Sequence, residues 1–153
     1  MMVYATLKTL HILAIIVWIG GMVFTHFFLR PSLSLLDPPQ RLRLMHAVLG
    51  RFFQAVLVAA FVVLATGGWM IGRVARATGS SFHMSLRWTL MTVLGVLMIA
   101  IFGHIRFVLY KRLAQAVGKS DWPAGAAAMT QIRQWVVVNL AIGIVIVVAT
   151  LSA

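Results

Sequence analysis

Four apolar runs constrain this chain more than any other feature: Leu7 to Leu29, Phe52 to Ile71, Trp88 to Tyr110 and Trp135 to Leu151. Each falls in the range of roughly 17 to 25 residues that a helix needs to cross the hydrocarbon layer of a bilayer. Lipid offers no partner to backbone N–H and C=O groups, so runs of this length must close their hydrogen bonds internally, as helices do. The expected fold is all-α: a four-helix transmembrane bundle forming a single integral membrane domain over residues 1–153. With 62% hydrophobic and only 10% charged residues, the chain lies outside the range of ordinary soluble domains. The segment MMVYATLK has neither the basic leader nor the cleavage site of a secretory signal, so the first run is expected to stay as a span.

The segments between the runs are basic. Thirteen Lys and Arg stand against two acidic residues, for a net charge of +11. These charges punctuate the spans instead of covering one amphipathic face, so the bilayer and its anionic head groups account for them and nucleic acid is not expected as a partner. Nine basic residues fall in the first and third connecting segments (Arg30, Arg41, Arg43, Arg51, Arg106, Lys111, Arg112, Lys119, Arg133). Only four (Lys8, Arg73, Arg76, Arg87) fall on the other side. The positive-inside rule then places both termini outside the cytoplasm, which for a bacterial inner membrane means the periplasm. Trp88, Tyr110, Trp122 and Trp135 fall near the expected interfaces, as aromatic belts do. Asp37-Pro38-Pro39 is a helix-start signal, and a short interfacial helix from about Pro38 to Val48 is expected after the first span. A weak internal repeat is visible: His26 and His104 each precede a basic segment, and Arg51 and Arg133 each open the span that follows.

Polar side chains inside the spans are the candidates for function, because they are costly there. At 100° per residue His11, Trp18, Met22 and His26 form one stripe on the first helix, within an arc of roughly 80°. His11 and His26 lie roughly 22 Å apart along the axis, so one metal ion cannot bind both. By depth, His26, His46 and His104 are expected to converge at the inner leaflet, and His11 to meet His83, Met84 or Met70 at the outer one. His46 and His83 also suit plain surface roles, and His26 suits a buried histidine bonded to a carbonyl. The pairs Met45-His46 and His83-Met84 resemble copper-binding pieces, one at each face. Met91 and Met98 share a helix face, which fits either a thioether ladder or apolar filling. Imidazole with thioether suits copper(I), whereas two imidazoles on facing helices suit haem b. Both remain open at this level. With no cysteine, disulfides, thiolate metal sites and c-type haem are excluded. Arg51 and Arg133 could pair with haem propionates or another anion, or reach lipid phosphates. Gly20, Gly21, Gly67, Gly68, Gly95, Gly103 and Gly143 permit close helix approach, and Asn139 is expected to bond across helices. No catalytic carboxylate pair, phosphate loop or nucleophile-base motif is present, so any chemistry would be that of a bound cofactor.

The pattern L-K-x-L-H-x6-W-x-G-G-x-x-F, read from Leu7 through Lys8, His11, Trp18, Gly20, Gly21 and Phe24, resembles the start of the copper resistance protein D (CopD) family of bacterial inner-membrane proteins. Arg51-Phe52, Thr66-Gly67, and Arg133 to Asn139 and Gly143 continue the resemblance. It implies copper handling (uptake, transport or tolerance); together with the histidines at both faces, it leads to the expectation of His11 as the outer ligand and, by their matching depth, His26 and His104 as inner ones. It is compatible with a periplasmic copper-binding partner and with a homo-oligomer. The opening is also similar to J-type protoporphyrinogen oxidases, whose first- and third-helix histidines match His11 and His104. That similarity implies a haem b membrane redox protein, here using His104 with His26 or with His11, although Leu140 follows Asn139 where that family has Glu, and Arg87 stands for a lysine. A non-catalytic membrane subunit or scaffold is the third expectation.

Overall fold

A computed structural model describes residues 1–152. Four long helices, α1 (Met2–Leu35), α2 (Pro38–Ser81), α3 (Leu86–Gly118) and α4 (Trp122–Ser152), are each long and apolar enough to cross a membrane. No strand occurs among the described residues. The connections are only a few residues long, so each helix turns back beside its predecessor. α1 packs on α2, α3 packs on α4, and α1 against α4 helps join the two pairs. One end of the bundle carries the termini and the α2–α3 connection. The other, which we call the basic end, carries the α1–α2 and α3–α4 connections.

Local chemistry sets the helix limits. Asp37 is extended, and Pro38 and Pro39 occupy the first turn of α2 as the sequence predicts, but the Asp37 side chain makes no capping bond. The carbonyls at the end of α1 are met instead by Arg41, whose Nε donates to the Leu36 carbonyl (2.5 Å) and whose guanidinium reaches Ser34 O (3.4 Å). Gly79, with φ +56°, closes the regular part of α2 in a conformation that favours glycine. Ser85 Oγ accepts from the Trp88 N–H to open α3, and Asp121 Oδ1 accepts from the Ala124 N–H to open α4.

The interfacial helix expected from Pro38 to Val48 is the first part of α2, which runs on into the span without a break. Its 44 residues, at 1.5 Å each, make a rod of about 66 Å, twice the hydrocarbon thickness. A single face explains the continuity: Leu42, Met45, Leu49, Phe53, Val56 and Ala60 recur every three or four residues and are all buried. Gly50 does not interrupt the helix; its missing side chain makes room for the Tyr110 hydroxyl, which donates to the His46 carbonyl at 3.0 Å. α1 and α3 each loosen into a π-helical turn toward the basic end, Phe24–Leu29 and Ile105–Leu109. His26 lies within the first, and His104 immediately precedes the second.

Candidate functional site

Three of the four residues of the stripe predicted on α1, His11, Trp18 and Met22, lie with Ala14 on the buried face of that helix, whereas His26 is only half-buried. Opposite His11, α2 presents Thr66 and Gly67. A Cβ on Gly67 would come 3.3 Å from His11 Cε1, so glycine lets α2 lie close against the imidazole. Nδ1 of His11 lies 2.8 Å from Thr66 Oγ1. The Thr66 hydroxyl has one proton, which it donates to the Val62 carbonyl at 2.6 Å. Toward His11 it can therefore only accept, so Nδ1 carries the imidazole proton. Nε2 of the neutral ring is then a bare lone pair, and it is buried with no hydrogen-bond partner. Leaving such an acceptor unpaired costs about 1–3 kcal/mol.

His11 lines a partly open cavity of about 200 Å³ to which all four helices contribute. Aliphatic side chains make up most of the wall. The other groups able to hold a ligand are the thioethers of Met91 and Met98 and the hydroxyl of Thr92. Gly68 and Gly95 border the cavity, and a Cβ on either would meet nothing within 4 Å, so missing side chains create part of the space. Gly143 is different: a Cβ there would press on Met98 Cε and Ile19, so it serves packing. The Asn139 Nδ2 donates across to the Met98 carbonyl at 3.4 Å, tying α4 to this wall. One neutral nitrogen with two thioethers and no carboxylate is a donor set for a soft monovalent cation such as copper(I), and a poor one for magnesium or calcium.

The other predicted residues do not gather. No group of three or more His, Cys, Asp or Glu occurs among the described residues. His26, half-buried with its ring edge-on to Phe27, borders a second cavity at the basic end. His104 is exposed on the outside of the bundle against Trp135, and His46 stacks on Tyr110. The inner-leaflet convergence of His26, His46 and His104 is therefore not formed. His83 is exposed in the α2–α3 connection, and neither it nor Met84 or Met70 lines the His11 cavity. Arg133 lines the basic cavity with His26, whereas Arg51 is exposed and does not. Haem b does not fit His11 with His104: the first faces a cavity smaller than the roughly 300 Å³ of even modest ligand pockets, and the second points away from the interior. The sequence pointed to Thr66-Gly67 and to Met91 with Met98, but not to their meeting around His11. Arg30 and Arg41 on the basic cavity escaped notice, although Arg30 follows His26 by four residues and so shares its face.

The fold defines a polytopic helical membrane protein. The family model for copper resistance protein D matches residues 46–153, well over half of the chain, and the chain belongs to that CopD family. The matched segment holds Thr66, Gly67, Met91, Met98 and Asn139; His11 lies ahead of it. No curated protein and no solved structure matches the chain, and the similarity to J-type protoporphyrinogen oxidases has no counterpart in the family match.

Proposed function

We propose that this CopD-family protein handles copper by binding copper(I) inside the membrane, with His11 Nε2 as the nitrogen ligand and Met91 and Met98 as thioether ligands. The observation that carries this reading is the buried, unpartnered Nε2, held in one tautomer by Thr66 and served by a cavity whose other donors are soft. Copper is the cargo here. A neutral donor set leaves a monovalent ion its charge, so binding is weak enough to allow release. The count of basic residues supports a bacterial inner-membrane orientation with the termini and the His11 cavity toward the periplasm. Copper would reach His11 from that side, and exposed His83 with Met84 at the same end suits a transfer point for a periplasmic partner.

Anaerobic titration of the detergent-purified protein with copper(I) against a competing chelator tests the reading. One ion per chain is expected, with mixed nitrogen and sulfur scattering in the absorption edge, and loss of binding in His11→Ala. A wild-type protein that binds no copper(I) would leave a scaffold role instead. Full binding in His11→Ala would move the site elsewhere.

A further inference from the structure

The second cavity, of about 570 Å³, lies at the basic end and plays no part in the copper reading. Its polar wall consists chiefly of cations: Arg30 from α1, Arg41 from α2 and Arg133 from α4, with His26 beside them. The chain has two acidic residues, Asp37 and Asp121, and neither lines this cavity. Arg133 is close enough to Arg30 for mutual repulsion. Arg41 spends two donors on the carbonyls of Leu36 and Ser34, which fixes its guanidinium in the wall and leaves further N–H groups free. A cavity that gathers three guanidinium groups with no carboxylate in its lining is matched by a polyoxygen anion, because guanidinium forks fit phosphate oxygens in pairs. The buried side chains of Leu42 and Met45 supply apolar lining.

We propose that this cavity binds a phosphate ester group of net negative charge, gripped between Arg30 and Arg133. Arg30 directly follows the first apolar run and Arg133 shortly precedes the fourth, which places them at the level of lipid head groups and favours an anionic phospholipid over a soluble phosphate. Basic pockets between membrane helices hold acidic head groups in this way.

The full-length protein in neutral detergent, stripped of lipid, is offered phosphatidylglycerol or zwitterionic phosphatidylcholine of the same chains, and retained lipid is counted by native mass spectrometry. At least tenfold preference for phosphatidylglycerol is expected. Arg30→Gln with Arg133→Gln abolishes the preference, and Arg73→Gln with Arg76→Gln, at the other end, leaves it intact. Arg30→Lys with Arg133→Lys, which keeps charge and folding but loses the forks, retains only part of it. Competition by millimolar glycerol phosphate identifies a soluble ester as an alternative source of the group, whereas its failure to compete identifies the lipid. Equal retention of both lipids by the wild type, or undiminished preference in the double Gln variant with an unchanged melting temperature, overturns the proposal.

Discussion

The two cavities of this bundle have opposite chemistry: all four helices line the first, whereas α1, α2 and α4 alone line the second. Near the termini, the His11 cavity is small and free of charged side chains, with one imidazole and two thioethers. At the basic end, the second is larger and more open, with three guanidinium groups. Between them lies a solid layer. On α1 it contains Met22, on α2 Leu49, Phe53 and Val56, on α3 Phe102, and on α4 Val136 and Leu140, all buried. Phe102 meets Trp18 and Phe53 edge-on at centroid distances of 5.9 and 5.7 Å. Along α4, Arg133 and Gly143 are separated by roughly 15 Å of this packing. A cation at His11 therefore has no open path onward, and ahead of it stands a field of its own sign. The arrangement suits a protein that takes up and holds a soft cation on one side and fixes its place in the membrane on the other. Net transport would require the aromatic layer to rearrange.

Separate chemistry predicts separable phenotypes. The largest effect expected is that of His11→Ala, which removes the sole imidazole lining the first cavity: copper(I) binding should fall below detection while the lipid preference stays. Anaerobic titration and lipid retention measured on the same preparation check both halves, and joint loss would show that the ends are coupled. Next comes Gly95→Leu, which fills the empty space beside Met91 and Met98. Because a Cβ there meets nothing within 4 Å, the bundle should keep its melting temperature and lose most of its copper affinity. A drop in melting temperature comparable to that of an overpacked core, about 1–3 kcal/mol in stability, would mean that the cavity closes in the membrane.

How much of this was legible in the sequence depends on which solvent each residue meets. The four spans, the start of α2 at Pro38 and the amphipathic face of its protruding part follow from length and pattern, because those parts answer to water or to the simple demand of crossing lipid. Within the spans the pattern is silent. Lipid tails are as apolar as the core, so an inward and an outward face carry the same residues. This is why depth alone placed His104 beside His26, whereas the helix turns it out against Trp135. The stripe from His11 to Met22 was legible because a costly imidazole and a large indole recurred on one face. The tautomer was not, since it depends on where Thr66 sends its only proton, a contact between residues 55 positions apart.

Thr66→Val sharpens the comparison by an intermediate amount. The variant keeps the shape of α2 but removes the Thr66 acceptor from the His11 Nδ1–H, costing about 1–3 kcal/mol of stability. The ring is then free to turn or to move its proton to Nε2. Outer-shell partners of this kind are worth about 10–100-fold in metal affinity, and a loss of that size is expected in chelator competition. An unchanged affinity would show that packing against Gly67 alone orients the imidazole. The basic end should not respond.

The smallest effect expected is that of Met98→Leu, and it discriminates most finely between a ligand and a filler. Met98 is buried, lines the His11 cavity and has its backbone carbonyl bonded to Asn139, so its position is set by the backbone and not by its sulfur. Leu has nearly the same volume, and swaps of this kind usually cost less than about 1.5 kcal/mol. The melting temperature should therefore change little. If the sulfur is a ligand, copper(I) affinity should weaken several-fold, less than in His11→Ala, because Met91 and the imidazole remain, and the sulfur contribution to the absorption edge should shrink. If Met98 only fills space, neither readout moves, and the donor set contracts to His11 with Met91, which would leave the two ends of the bundle distinguished by charge alone.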